Sequence, residues 1–178
     1  KIEIKGKDAL AFMNLIYTNS FSKMKPSSSR YALMLGEDGM VKDDGIICKI
    51  SDEHFIATTT TGGAATVLGC MEEYAQTEWP NLNVYMNSIT EQYATFNISG
   101  PKTRNIIEKV FPEVNFSNKA FPFMTFQFHE YEDTPIRILR ASFTGEMGYE
   151  IYVPSNQALK IWEKIINCKH DFIYSYNS

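Results

Sequence analysis

The feature that most constrains this chain is a hydrophobic period that keeps changing along it. Short stretches where apolar and polar residues alternate give way to stretches where apolar residues return every three or four positions. Only a mixed α and β domain accommodates both patterns, and there is no internal repeat to suggest a solenoid. Ile2 and Ile4 alternate with Glu3 and Lys5, as in a strand with one buried face. Asp8 then stands as an N-cap before a helix carrying Leu10, Phe12, Met13, Leu15 and Ile16. After a loop from Phe21 to Ser29, a strand over Arg30 to Leu35, a turn at Glu37-Asp38-Gly39 and a return strand from Met40 to Ile50 read as a hairpin. A turn at Ser51-Asp52-Glu53 leads to a strand from His54 to Thr60, and Gly62-Gly63 opens a helix spaced by Ala64, Val67, Leu68, Met71, Tyr74 and Ala75.

The second half repeats the logic. Strands are predicted at Asn83 to Asn87 and Tyr93 to Ser99, then a helix with Ile106, Ile107 and Val110 inward after Gly100-Pro101. A Phe-rich segment from Phe121 to Phe128, strands at Ile136 to Leu139 and Tyr149 to Val153, and a helix from Ser155 to Ile166 complete it. With no long linker, one domain over residues 1–168 and an irregular tail over 169–178 are expected.

Several function classes drop out. A net charge of −4 supplies no basic field for nucleic acid or an anionic membrane. There is no long apolar run and no signal sequence at Lys1, so a cytoplasmic protein is expected. Cys48, Cys70 and Cys168 are odd in number and form no CxxC pair, which predicts reduced thiols rather than a disulfide framework. His54, His129 and His170 lack metal-ligand spacing, so no metal is expected.

Three segments carry candidate chemistry. Asp43 and Asp44 are adjacent on a strand and therefore point to opposite faces, so one carboxylate is buried while the other meets solvent. A bulge or turn capped by Asp side chains stands as the plain alternative. Glu150, after the glycine-punctuated run Ser142-Phe143-Thr144-Gly145-Glu146-Met147-Gly148, sits among apolar neighbours and can accept two parallel hydrogen bonds from a planar ligand such as a pterin or guanidinium. A surface loop with a solvated Glu is its alternative. Thr58-Thr59-Thr60-Thr61-Gly62-Gly63 joins a strand to a helix and offers N–H groups and hydroxyls to an anion; it matches neither a P-loop nor GxGxxG, so an ordinary strand of threonines is the stronger reading.

Taken together, Gly6-Lys7-Asp8-Ala9, Tyr17-Thr18-Asn19, Arg30 to Leu35, Asp38-Gly39, Asp43-Asp44-Gly45, Thr58 to Ala65, Gln76-Thr77-Glu78-Trp79-Pro80, Gly100-Pro101 and Phe143-Thr144-Gly145-Glu146 with Gly148-Tyr149-Glu150 resemble the aminomethyltransferase family typified by the glycine-cleavage T-protein. The Thr-rich run and Gln-Thr-Glu-Trp-Pro resemble most its relative, the C-terminal region of the heterotetrameric sarcosine oxidase alpha subunit. The resemblance implies an α+β fold with mixed or antiparallel sheets and packed helices, incomplete at both ends and lacking the family's C-terminal β-barrel.

The resemblance also implies a tetrahydrofolate site. Asp44 would orient the transferred carbon beside N5 and N10, Glu150 would hold the pterin, and Tyr31, Phe123 and Phe143 would line its rings. Thr60 falls where the family usually carries an Asn that bonds the pterin. The implied reaction captures the one-carbon unit of sarcosine or a related N-methyl amine as 5,10-methylenetetrahydrofolate. Any flavin would sit in partner domains or subunits of an oxidase, because the chain has no dinucleotide fingerprint. A non-catalytic folate-binding or subunit-contact domain is the rival reading.

Overall fold

The computed structural model describes residues 1–173, with side chains described through 168. The chain falls into two units, Lys1–Thr90 and the residues from Glu91 onward, each with its own hydrophobic core. They meet in a four-residue connection between strands ending at Ser88 and beginning at Tyr93, too short to be legible as a linker.

The first unit runs β1 (Ile2–Lys5), α1 (Ala9–Ile16), β2 (Ser28–Leu35), β3 (Val41–Ser51), β4 (His54–Thr58), a 3₁₀ turn (Thr61–Gly63), α2 (Ala64–Thr77) and β5 (Tyr85–Ser88). Its antiparallel sheet has the order β2-β3-β4-β1-β5. Alternation sets the faces: Ile2, Ile4, Ala32, Met34, Ile47, Phe55 and Ala57 point one way and bury themselves with Phe12, Met13 and Ile16 of α1 and Val67 and Met71 of α2. Removing that apolar surface from water is the main force holding the layers together, at roughly 25 cal/mol per Å². Glu3, Tyr31, Leu33 and Asp44 take the opposite face by the same parity.

Close packing fixes one glycine in this sheet. A Cβ on Gly45 would lie 2.0 Å from the Thr58 carbonyl oxygen, so no other residue fits where β3 passes β4. Asp8 corrects the capping expectation. It occupies the N-cap position of α1 without a side-chain cap bond, because its Oδ2 instead accepts the Asn83 N–H at 2.7 Å and ties down the approach to β5.

The second unit runs β6 (Tyr93–Ser99), α3 (Thr103–Val110), β7 (Phe126–Tyr131), β8 (Thr134–Leu139), β9 (Gly148–Pro154), a 3₁₀ turn (Ser155–Gln157) and α4 (Ala158–Ile173). Its antiparallel sheet has the order β6-β9-β8-β7. Ile136, Ile138, Tyr149, Ile151 and Val153 form one face and pack with Ile107 and Val110 of α3 and Ile161 and Ile165 of α4. Phe116, Phe121 and Tyr149 add an aromatic cluster, with ring centroids 5.3 to 5.7 Å apart.

Two elements differ from the sequence reading. β7 overlaps what read as a merely Phe-rich segment and runs on to Tyr131, because its hairpin to β8 turns through Glu132 and Asp133, both at positive φ (46° and 61°), without a glycine to announce the turn. α4 continues to Ile173, so residues 169–173 extend the helix instead of starting a tail. The tail expected over 174–178 lies outside the described residues.

Candidate functional site

The adjacent carboxylates of β3 part as the strand pleat requires. Asp43, opposite Met34, turns toward the core face and is 4% exposed; Asp44, opposite Leu33, is exposed on the other face. Asp43 Oδ1 accepts the Thr60 backbone N–H at 3.0 Å, while its Oδ2 is buried without a hydrogen-bond partner among the described residues. Burial pushes the Asp43 carboxyl above its ordinary range; hydrogen bonding from Thr60 opposes the rise, and the neighbouring Asp44 charge adds to it.

Thr60 itself is exposed beyond the end of β4, and its carbonyl accepts the Gly63 N–H at 2.9 Å. The anion held by this strand-to-helix junction is therefore the chain's own Asp43, which corrects the idea of a ready external anion site at the Thr60 N–H. Thr60 lies two residues past the last paired residue of β4 and so outside the strand register that carries Asp44. The threonine that shares that face is Thr58, paired with Ile46, which in turn pairs with Tyr31. Counting alternate residues out from Phe55 and Ala57 would have found it.

Tyr31 and Leu33 are 48% and 43% exposed, and with Asp44 they give one end of this sheet face an apolar floor with a single carboxylate. A cationic carbon or amine over such a floor is favoured electrostatically, and more strongly as water is excluded.

In the second unit Glu150 is partly buried on β9, opposite Asn97 of β6 and Leu139 of β8. It lies on the sheet face away from the α3 and α4 core, and its Oε2 accepts a hydrogen bond from the Tyr152 hydroxyl. Arg137, directly opposite Tyr152, stacks its guanidinium 4.1 Å from that ring. Neither Tyr152 nor Arg137 was singled out from sequence; their signal is that both share Glu150's parity.

The glycine-punctuated run before β9 is a loop whose Gly145 adopts φ +82° and whose Ser142 hydroxyl donates to the Glu146 carbonyl at 2.5 Å. Phe143 is 91% exposed in this loop, and Phe123 is 55% exposed just before β7. Unlike the core phenylalanines around Phe121, both rings are available to a ligand. The structure thus places Asp44 and Tyr31 on one face of the first unit, and Glu150, Phe123 and Phe143 in the second.

Cys48, Cys70 and Cys168 form no disulfide among the described residues. Among the described residues no group of three or more His, Cys, Asp and Glu side chains could hold a metal ion, and no helix is long and apolar enough to cross a membrane.

Comparison with known proteins agrees with this architecture. A crystal structure of the glycine cleavage system aminomethyltransferase T from Bartonella henselae superposes with a TM-score of 0.77 at 22% identity, covering 93% of this chain and 42% of that one, which establishes a shared fold. The sarcosine oxidase subunit alpha of Corynebacterium sp. (strain P-1) is 45% identical over 173 residues, covering 97% of this chain and 18% of that protein. An aminomethyltransferase of Thermoanaerobacter pseudethanolicus (strain ATCC 33223 / 39E) is 29% identical over 180 residues, covering 97% of this chain and 45% of that protein. The chain therefore spans less than half the length of these relatives. Residues 1–174 match the family described as the GCVT N-terminal domain, and with the α+β fold in agreement along that span, the chain belongs to that family.

Proposed function

We propose that this chain serves folate-dependent one-carbon transfer, capturing the carbon of sarcosine or a related N-methyl amine on tetrahydrofolate as 5,10-methylenetetrahydrofolate. The observation that carries the reading is the division within the Asp pair. Asp43 is spent on the Thr60 N–H, which leaves Asp44 exposed on an apolar face beside Tyr31. An iminium made by oxidising an N-methyl amine hydrolyses quickly in water, so it must meet its nitrogen acceptors in a sheltered place. Asp44 would favour that cation and hold the reacting amine, with no protein nucleophile required.

In the second unit Glu150 would accept the paired N–H groups of the pterin, with Phe123 and Phe143 packing on its flat rings; in the first unit Tyr31 would line the folate surface beside Asp44. Thr60, exposed beyond β4 while its backbone N–H holds Asp43, would be a further folate contact of the first unit. The sarcosine oxidase subunits among the relatives support an N-methyl amine as carbon donor and a multi-subunit oxidase as setting. The oxidising flavin would then belong to other domains or subunits.

Calorimetric titration of the chain with tetrahydrofolate, beside Glu150→Gln and Asp44→Asn, tests the reading. Saturable binding that weakens by about tenfold or more in Glu150→Gln, roughly 1.4 kcal/mol, is expected. Asp44→Asn should bind folate nearly as well and lose folate-coupled product in the assembled enzyme. A folded chain whose folate affinity is indifferent to Glu150→Gln would overturn the pterin assignment.

A further inference from the structure

Glu150 has three rotatable side-chain torsions, yet a carboxylate that accepts two parallel N–H bonds must hold its plane edge-on to the ligand. Something must therefore fix it before the ligand arrives. On the same strand face, two residues along, Tyr152 donates its hydroxyl to Glu150 Oε2. Tyr152 is 1% exposed, and its ring lies against the Arg137 guanidinium at 4.1 Å.

Arg137 is the unusual member. It is 5% exposed, and its Nε and Nη1 are buried without a hydrogen-bond partner among the described residues. Buried guanidinium groups are ordinarily satisfied by carboxylates or carbonyls, so this one is held in large part by its contact with an aromatic face. A cation against the ring of a phenol draws electron density from the oxygen and makes the hydroxyl a better donor. β8 and β9 put Arg137 and Tyr152 directly opposite each other, with Leu139 opposite Glu150, so the sheet register itself sets the stack.

We infer that Arg137 and Tyr152 are positioning residues for Glu150: the buried guanidinium pins and polarises the tyrosine, and its hydroxyl fixes the carboxylate plane that reads the pterin's amino and ring N–H groups. The inference rests on the assignment of Glu150 to the pterin. It explains a buried, under-bonded cation that packing alone does not require. It also predicts selectivity rather than mere stability, because what is fixed is the geometry of a two-point contact.

The test is calorimetric binding of tetrahydrofolate and of its 2-deamino analogue, which lacks one of the two paired donors, to the chain and to Tyr152→Phe, Arg137→Gln, Arg137→Lys and Glu150→Gln. Thermal melts confirm that each variant is folded. Tyr152→Phe keeps the ring and its stack and removes only the hydroxyl, so it stands as the decisive variant if Arg137→Gln fails to fold. The parent chain should prefer tetrahydrofolate over the analogue, and Tyr152→Phe and Arg137→Gln should shrink that preference by about tenfold. Arg137→Lys should recover part of it, since a cation under the ring is retained. If Glu150→Gln erases the preference while Tyr152→Phe leaves it at the parent value, the positioning role is refuted and the assignment of Glu150 stands. If the parent shows no preference between the two ligands, the Glu150 assignment fails and the positioning role with it.

Discussion

Replacing Asp43 by Asn, in a Trp162→Phe background, separates the two neighbouring carboxylates by their effect on stability. The sequence has two tryptophans, so Trp79 is then the sole indole; it packs in the first unit, edge-on to Phe12 at 5.8 Å and stacked on Tyr74 at 5.5 Å. Asp43 is 4% exposed, with one oxygen bonded to Thr60 and the other buried without a partner, and burial raises its pKa above the ordinary value of 3.8. The folded chain therefore binds the Asp43 proton more tightly than the unfolded chain does. The penalty of burying the ionised carboxylate is complete above the native pKa, declines as pH falls through it, and is gone below the unfolded value.

Within that window the native state holds up to one extra proton, so the gradient is at most about 1.4 kcal/mol per pH unit, with stability rising as the solution is acidified. Asn does not titrate. Urea unfolding followed by Trp79 fluorescence, repeated from about pH 7 down to about pH 4, should show the stability of Asp43→Asn relative to its parent level while Asp43 stays ionised and falling once the pH drops through the native Asp43 pKa. Taking the difference cancels groups that do not sense Asp43, such as Glu3, whose burial is outweighed by Lys5 and His54 so that its pKa falls. Curves that stay parallel across the range would refute the claim that Asp43 is a buried carboxylate with an unsatisfied oxygen.

Gly45→Ala should destabilise the first unit by about 2 kcal/mol or more in the same Trp79 assay, because its Cβ would meet the Thr58 carbonyl oxygen at 2.0 Å and force β3 from β4. Phe121→Ala removes a fully buried ring from the Phe116 and Tyr149 cluster and should cost about 3–5 kcal/mol in denaturant unfolding of the second unit, read by Trp162 fluorescence in a Trp79→Phe background. Phe143→Ala, at a residue 91% exposed, should leave melting unchanged and weaken tetrahydrofolate binding several-fold by calorimetry; an unchanged affinity would remove Phe143 from the folate contact.

Much of the fold was legible because it rests on local pattern. Ile2 and Ile4 alternate with charges and are indeed the buried residues of β1, and the helix over Val67 and Met71 buries those residues as its spacing demands. Adjacency alone required Asp43 and Asp44 to face opposite ways. What stayed hidden had no local signature. The β7–β8 hairpin turns through Asp133 together with Glu132, a residue that does not advertise positive φ, and Asp8 gives its carboxylate to Asn83, a partner far away in sequence.

The sequence by itself determined the alternating elements, the parity of each strand and the residue types able to hold a planar polar ligand, because periodicity and side-chain chemistry are properties of a few neighbouring positions. Only tertiary structure decided which member of the Asp pair is exposed, that Thr60 is bound to Asp43, and that Arg137 lies under Tyr152 beside Glu150. The reason is physical: parity says that two side chains part, but which face becomes core is set by the helices that cover it, and strand register, a long-range property, decides which residues meet across the sheet.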